Sequence, residues 1–198
     1  MSKSFRPAVR DAVVLAAIEL WTECPSASLG DIAIRAGVGR ASLHRYFEGR
    51  AHLAKIVVER CMNDIETATM EGVSSAESPQ ERLFLMLKAL IPLGARYHFV
   101  ATVKIDDQYI QARHAAETRW IDSLIDELKR DAIIDPLLSN QWIIAVIEAQ
   151  IFLAWRYFIK DAVLSVHDVA TLCLRTILRG IVFSLIEICR LGFNLLCE

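Results

Sequence analysis

The chain has 198 residues, 54% of them hydrophobic, and a formal net charge of −2 at pH 7. This length accommodates one small unit of about fifty residues beside one larger core, and so high an apolar fraction indicates that a partner subunit covers part of the surface. Alternating β-branched runs bounded by turn residues are missing, whereas helical periodicity and helix caps recur to the C-terminus. We therefore expect an all-α fold of about nine helices, with residues 1–53 as a first domain and residues 54–198 as a second.

Neither a targeting segment nor a membrane span is predicted. The N-terminus carries charges with no apolar stretch behind them, and the apolar stretch 180–197 is interrupted by Glu187 and Arg190 before it reaches the ~18 residues of a span. The cysteines are odd in number and mostly on apolar helix faces, as in reduced cytoplasmic proteins. We expect a cytoplasmic protein without a membrane partner; a membrane-surface tail or a redox-active thiol stays open as an alternative. The cysteines are Cys24, Cys61, Cys173, Cys189 and Cys197.

Residues 28–50 have the spacing of a helix-turn-helix. Ser28 is suited to cap a short helix, because its hydroxyl can accept a bond from a free N–H group and Asp31 completes the capping-box pattern. Gly37 supplies the positive φ that ends such a helix. The first half of the motif is therefore a short capped helix followed by a glycine turn. Its packing face is predicted to consist of Ile32, Ala33 and Ala36.

A second short helix is predicted at residues 40–47. Leu43 and Phe47 lie four residues apart and form its buried face. Arginine suits guanine edges and phosphates, serine and histidine can bond bases or backbone, and the small Ala41 lets the helix enter the major groove of DNA. The outward side chains that we expect to read double-stranded DNA are Arg40, Ala41, Ser42, His44 and Arg45.

Basic charge concentrates in the same region. Residues 1–55 carry eight Lys and Arg against five Asp and Glu, hence a net +3, and the remainder carries a net −5. A near-neutral protein thus presents its positive field on the part that would face phosphates. Lys3 and Arg6, ahead of Pro7, are either an additional DNA contact or a solvated tail.

Residues 8–53 resemble the DNA-binding domain of the TetR family of transcriptional regulators. Residues 10–21 resemble the family's first helix, 28–38 its second and 40–47 its third. The resemblance implies that Ser28, Tyr46 and Arg50 contact the DNA backbone. Three positions depart from the family's usual pattern, so the operator sequence cannot be taken from relatives. They are Gly30, where a polar residue is common, Gly39, where serine is frequent, and His44, where tyrosine is frequent.

A long helix from residue 50 links the two domains. Beyond it, capping residues and breaks divide the chain into further helices. The linking helix is predicted to run from 50 to about 70, followed by a loop at 72–77. Three helices are predicted after it, at 78 to about 96, 100–112 and 114–131, and Asp135-Pro136 then breaks the helical pattern. The buried stripe of the linking helix is predicted to be Leu53, Ile56, Val57, Arg60, Cys61 and Ile65.

The last two predicted helices, at 139–162 and 169–191, are unusually apolar. The first is apolar nearly all round, and the second is capped by Ser165 and Asp168. One monomer core cannot cover both, so we expect a homodimer. The resemblance implies that these are the family's eighth and ninth helices, which form the dimer interface, and a two-fold dimer implies a pseudo-palindromic operator.

The resemblance also implies a small-molecule effector bound in the second domain. Glu148 lies in an apolar helix, so it either pairs with Arg175 or Arg179 or meets a cationic or hydrogen-bonding ligand. An apolar or aromatic effector is the general expectation, and a cationic amphiphile is the sharper one. The same aromatic residues could instead be core, and the charges near 96–119 a solvated face. The candidates are Tyr97, His98, Tyr109, Trp120, Glu148, Gln150 and Trp155.

The sequence favours a ligand-responsive repressor rather than an enzyme. No Gly-rich phosphate loop, nucleophile elbow or acid pair marks a catalytic site, and the histidines lack metal-ligand spacing, so we predict no catalytic residue, metal or cofactor. Two alternatives remain: a DNA-binding protein without an effector, either architectural or working with a protein partner, and a helical interaction or membrane-surface protein.

Overall fold

The structure is a computed structural model, and it describes residues 5–156 and 164–181. Its regular parts are helical, with no strand in those ranges, so the all-α prediction is confirmed. The helices are α1 (Phe5–Glu23), α2 (Leu29–Arg35), α3 (Arg40–Tyr46), α4 (Arg50–Val73), α5 (Pro79–Leu90), a 3-10 turn (Ile91–Leu93), α6 (Gly94–Thr102), α7 (Gln108–Arg130), α8 (Asn140–Ala154) and α9 (Val166–Ile181).

Two apolar clusters hold these helices together. The first, the reader core, packs α1, α2 and α3 against the first half of α4, with Leu43, Phe47 and Leu53 fully buried. The second, the bundle core, lies among α5, α7, α8 and α9. Helix α4 belongs to both, since Val57 lies in the reader core and Ile65 in the bundle core. A displacement of α4 therefore disturbs both cores.

The buried stripe of α4 differs from the prediction at Arg60. Its side chain is 39% exposed and donates to Asp64 at 2.9 Å and to Asp11 at 3.5 Å. Val58 and Met62 are buried instead. The helical spacing places Arg60 at the edge of the stripe. Its guanidinium reaches carboxylates at the surface there and is not buried in the core. Of the other predicted members, Ile56 is partly exposed, and Leu53, Val57, Cys61 and Ile65 are buried.

Helix α5 begins as predicted but ends earlier. The N–H of Glu81 donates to the Ser78 hydroxyl at 3.1 Å, as the cap requires. The predicted continuation to residue 96 is wrong, because Pro92 has no N–H to donate and a 3-10 turn replaces the helix there. Helix α6 then starts at Gly94, where a Cβ would lie only 2.3 Å from the Cβ of Trp155. Glycine thus permits the close approach of α6 to the end of α8.

The predicted helices 100–112 and 114–131 have the wrong boundaries. Helix α6 continues to Thr102, residues 103–107 are irregular, and α7 runs without a break from Gln108. Asp107 starts α7, because its Oδ1 accepts from the N–H groups of Tyr109 at 3.0 Å and Ile110 at 3.2 Å. A local cap that the sequence analysis overlooked therefore decides where α7 begins.

Helix α9 begins at Val166, so the predicted start at residue 169 is three residues late. The predicted cap is present: the N–H of Asp168 donates to the Ser165 hydroxyl at 3.2 Å, and that hydroxyl donates to the Asp168 carboxylate at 2.6 Å. Several predictions lie outside the described residues: the continuations to 162 and to 191, Lys3, the side chain of Arg6, Cys189 and Cys197.

Two of the three described cysteines are buried, as predicted for core thiols. Burial raises the pKa of Cys61 to about 12 and that of Cys173 to about 11, which keeps both thiols protonated and unreactive. Cys24, which follows α1, is exposed and is an exception to the apolar helix faces predicted for most of the cysteines.

By length and composition alone, the stretch Pro79–Thr102 could cross a membrane. Its apolar side chains at Leu83, Met86, Leu87 and Leu90 are buried in the bundle core, which accounts for their hydrophobicity. The absence of a membrane partner stays a prediction.

Candidate DNA-reading surface and effector cavities

Helix α2 is fixed by the capping box that the sequence predicts. The Ser28 hydroxyl accepts from the N–H of Asp31 at 3.2 Å, and the Asp31 carboxylate accepts from the N–H of Ser28 at 2.8 Å. These bonds from Ser28 hold the pKa of Asp31 below its usual range. Gly37 has φ +66°, the left-handed conformation that ends α2 and turns the chain toward α3. The Ser28 side chain is thus occupied by capping, and its contact with DNA stays a prediction.

Helix α3 presents the predicted reading face to solvent. Leu43 and Phe47 point into the reader core. Gly39 precedes the helix without a side-chain cap, which leaves the first N–H groups of α3 open. Of the predicted readers, Arg40, Ala41, His44 and Arg45 are exposed, and Ser42 and Tyr46 are half-buried.

The two arginines predicted to read DNA lie close to particular neighbours in the protein. The guanidinium of Arg40 lies across α2, where a Cβ on Gly30 would stand 2.8 Å from its Nη2 atom. The guanidinium of Arg45 lies 5.2 Å from the centre of the Tyr46 ring and donates to the Tyr46 hydroxyl at 3.5 Å. Arg45 is therefore partly positioned by its neighbour, whereas Arg40 occupies the space that the absent side chain of Gly30 leaves free.

Arg50, predicted to contact phosphate, is engaged within the protein. Its guanidinium donates to the backbone carbonyls of Pro25 and Ala27 and stacks on Trp21, with 4.6 Å from Cζ to the ring centre. Trp21 Nε1 also donates to the Ala27 carbonyl at 3.0 Å. Arg50 thus ties the loop between α1 and α2 to the start of α4. Its remaining N–H groups could still reach a phosphate, so that contact stays a prediction.

Ion pairs tie α4 to the helices around it. Asp64 accepts from Arg60 at 2.9 Å and from Arg96 of α6 at 2.8 Å. Arg113 of α7 donates to Glu66 at 2.5 Å and to Asn63 at 2.7 Å. These contacts link the helix that enters the reader core to the part of the bundle that surrounds the cavities.

Three adjoining cavities lie between α4 and α7, with α5, α6 and α8 completing their walls. The strap cavity, of about 410 Å³, lies beneath residues 103–106 and is bordered by Met62 and His114. The tryptophan cavity, of about 270 Å³, is bordered by Met62, Met86, Trp120 and Glu117. The carboxylate cavity, of about 210 Å³, is bordered by Tyr97, His114, Glu117 and Glu148. Shared lining residues make them neighbouring compartments of one cleft along α4.

Three of the seven predicted effector residues line these cavities. Tyr97 and Glu148 border the carboxylate cavity, and Trp120 borders the tryptophan cavity. The Tyr97 hydroxyl donates to Glu148 Oε1 at 3.4 Å, and burial raises the pKa of Tyr97. The predicted pairing of Glu148 with Arg175 or Arg179 is wrong for the described residues, because both arginines are exposed on α9 and form no ion pair with it.

The other four predicted effector residues border none of the three cavities. His98 packs on Phe152, with ring centres 4.7 Å apart, and Trp155 packs on Phe152 and fills the space beside Gly94. Tyr109 is 60% exposed beneath Arg113. The Gln150 carbonyl accepts from the thiol of Cys173 at 3.8 Å. For His98 and Trp155 the core alternative therefore describes the structure.

Sequence reasoning missed three charged or titratable residues of α7 that line the cavities. Arg113, His114 and Glu117 lie at adjacent positions on one face of this helix and border the cavities. Burial is the main cause that raises the pKa of Glu117 above its usual range. Their spacing of three and four residues was visible, but these charges were read as a solvated face. Among the described residues, no group of three His, Cys, Asp or Glu side chains could hold a metal ion.

Comparison with known proteins points to one family. No family model matches the chain. A transcriptional repressor of the helix-turn-helix type, LfrR from Mycolicibacterium smegmatis, is 33% identical over 96 residues, which is 48% of this chain and 50% of that protein. The match thus spans about half the length of this curated relative.

Solved structures match over most of the chain. The TetR-like regulator LfrR in complex with proflavine has a TM-score of 0.68 at 21% identity, covering 90% of this chain and 99% of that one. A TetR-family regulator from Marinobacter aquaeolei VT8 gives 0.70 at 16% identity, covering 90% and 97%. The ketosteroid regulator KstR2 of Mycobacterium tuberculosis gives 0.69 at 17%, covering 88% and 95%. These likenesses show that the chain has the fold of the TetR family of transcriptional regulators.

Proposed function

We propose that this protein is a ligand-responsive transcriptional repressor that binds a pseudo-palindromic operator as a homodimer. The observation that carries the proposal is the exposed face of α3, where Arg40 and Arg45 lie at the surface of a helix-turn-helix whose first helix, α2, is capped by Ser28. The partial sequence match to the repressor LfrR supports the same role. In this role the protein binds DNA and an effector in the cytoplasm, and it requires no catalytic residue, metal or cofactor.

Residues 1–53 are the DNA-reading unit and residues 54–198 the effector-binding and dimerising unit. Arg40, Ala41, Ser42, His44 and Arg45 read the major groove, while Ser28, Tyr46 and Arg50 meet the phosphates. Dimerisation through the last two helices would cover the exposed apolar side chains of α8 and α9. These include Trp142, Leu153 and Leu172.

A small hydrophobic or aromatic effector occupies the cleft along α4. The complex of LfrR with proflavine supports an aromatic effector, since that regulator shares the fold. Because α4 takes part in both cores, a ligand that displaces it alters the spacing of the two α3 helices in the dimer. The ligand acts as a switch only if it binds the non-reading arrangement more tightly.

Selection of bound sequences from a random DNA pool, at two salt concentrations, tests the proposal. We expect a pseudo-palindrome whose half-sites are one helical turn apart, about 34–36 Å, or a multiple of that distance. Recovery of no motif, with binding that vanishes at the higher salt, would contradict operator reading and favour an architectural DNA-binding protein.

A further inference from the structure

Glu117 is a carboxylate without a partner in the described part of the chain. It lies on α7 at the boundary between the carboxylate cavity and the tryptophan cavity, and no hydrogen bond or ion pair within the described residues satisfies it. Two basic residues of its own helix, His114 and Arg113, act on Glu117 without bonding to it, and Arg113 is already bonded to Glu66 and Asn63 of α4. Glu117 is half-buried, and a carboxylate that is partly shielded from water without a partner attracts a positive group.

A second carboxylate faces the same cavity from another helix. Glu148 of α8 accepts one long bond, 3.4 Å, from the Tyr97 hydroxyl. The rest of the lining is mixed: Ile65, Ile121 and Ile144 are apolar, whereas Tyr97, His114 and Thr118 are polar. Two acidic groups on a cavity with an apolar side favour a ligand that is cationic at one end and apolar elsewhere.

The adjoining tryptophan cavity suits the apolar body of such a ligand. Met62, Met86 and Trp120 border it, and it shares Glu117 and Ile121 with the carboxylate cavity. An aromatic face attracts a cation, and thioethers adapt to the shape of a ring. The two cavities, of about 270 Å³ and about 210 Å³, together accommodate a molecule larger than either would admit.

We infer that the carboxylate and tryptophan cavities form one site for an organic cation with an aromatic body, whose charged nitrogen lies between Glu117 and Glu148. The inference rests on the proposed function only in the statement that the bound cation regulates DNA binding. Cation binding itself is measured in the absence of DNA. An anion is repelled by both carboxylates, and a neutral molecule leaves them unpaired.

Binding of the cation also releases a proton. The charged and titratable groups around Glu117 are Arg113 and His114 of its own helix, Glu66 of α4, Tyr97 of α6 and Glu148 of α8. Burial, together with the two glutamates, favours the protonated acid, whereas a bound cation favours the carboxylate. The proton leaves the Glu117 carboxyl for solvent as the ion pair forms. Affinity for the cation therefore rises as the pH rises through the raised pKa of Glu117.

Isothermal titration of the full chain with benzyltrimethylammonium tests the site. Its uncharged carbon isostere, neopentylbenzene, is the matched ligand control. We expect the cation to bind about tenfold more tightly than the isostere. Glu117→Gln and Glu148→Gln should each weaken cation binding by about tenfold and leave the affinity for the isostere unchanged. Glu71→Gln makes the same charge change on the exposed side of α4 and should match the parent protein.

Variant folding and proton release give independent checks. Glu117→Gln should melt at or above the temperature of the parent, because the amide has the shape of the protonated acid. Tyr97→Phe is a milder second variant, which should alter cation binding through Glu148 alone. Titrations in two buffers of different ionisation enthalpy should show proton release in the parent and none in Glu117→Gln.

Equal affinity for the cation and its isostere, or cation affinity retained in both glutamine variants, would overturn the inference. If the DNA selection recovers an operator but the cation does not bind, this site is overturned and the proposed repressor function is not. Cation binding without a recovered operator supports the site and contradicts the repressor function.

Discussion

The guanidinium of Arg40 occupies the space that a side chain on Gly30 would fill, with its Nη2 atom 2.8 Å from the position of that missing Cβ. Gly30 is one of the positions where this chain departs from the usual TetR pattern. Glycine at this position leaves space on α2 for Arg40 of α3, which is predicted to read DNA. The nearby carboxylate of Asp31 attracts the positive charge of Arg40. The orientation of Arg40 therefore depends on a residue that need not touch DNA.

Replacing Gly30 by alanine should displace Arg40 and weaken operator binding. We expect a loss of roughly 1 kcal/mol in binding free energy, within the range for one base contact, while helix stability stays equal or rises. A double-mutant cycle measured by fluorescence anisotropy provides the control: in an Arg40→Ala background, Gly30→Ala should have no further effect on binding. Additive losses would show that Gly30 acts independently of Arg40.

Arg45→Ala should weaken operator binding by about 1–3 kcal/mol, as expected for a lost arginine contact in the major groove. The dimer should remain intact in analytical ultracentrifugation, because Arg45 is exposed on the reading face. Arg119→Ala, an exposed change of the same charge on α7, is the matched control. If Arg45→Ala and Arg40→Ala both bound like the parent, the groove assignment would be wrong.

Arg50→Ala should destabilise the protein even without DNA. The substitution removes two charge-assisted bonds to the carbonyls of Pro25 and Ala27 and the stacking on Trp21, and we expect a cost of about 1–2 kcal/mol in the free energy of unfolding. Arg50→Lys should restore only part of it, since an ammonium lacks the planar fork. Urea denaturation measures this loss; unchanged stability together with weaker operator binding would leave phosphate contact as the sole role of Arg50.

Asp107 should stabilise the start of α7 in a pH-dependent manner. The bond from Lys55, at 2.5 Å, and then the N–H of Ile110 hold the pKa of Asp107 below its ordinary value of 3.8. A lowered carboxyl pKa contributes stability that is present above the ordinary value and is lost as pH falls through the lowered one. Asp107→Asn should therefore be less stable than the parent at neutral pH, and this difference should shrink below about pH 4.

Asp107→Ala should be less stable than Asp107→Asn at both ends of the pH range, because asparagine can still cap α7 and alanine cannot. Urea denaturation across the pH series measures both variants. Asp131→Asn, at an exposed position beyond α7, should leave the profile of the parent unchanged. A gap between parent and Asp107→Asn that persists in acid would refute the ion-pair account.

Local signals explain what could be predicted from the sequence. The caps at Ser28, Ser78 and Ser165 join residues three apart, so their bonds are specified by the segment alone. Pro92 was an equally local signal, and the prediction passed over it. The overlooked cap at Asp107 shifted the boundaries of α6 and α7.

The cavities could not be predicted in this way, because they depend on how distant segments pack. Glu117 and Glu148 face one cavity only once α7 and α8 are placed beside α6. The expected partner of Glu148 was an arginine on α9, and the structure provides Tyr97 from α6 instead. Burial of a charge depends on these long-range neighbours, which helical periodicity alone does not specify.

The sharing of α4 between the two cores limits how this chain can be recombined with a relative. A chimera joined at residue 53 would separate Val57, Cys61 and Phe99 from the reader core in which they pack. A later junction within α4 would still leave Phe99 behind. Transplanted reading helices would then rest on foreign side chains with imperfect packing. Operator preference in such a protein is better exchanged through the surface residues of α2 and α3 than by cutting between its halves.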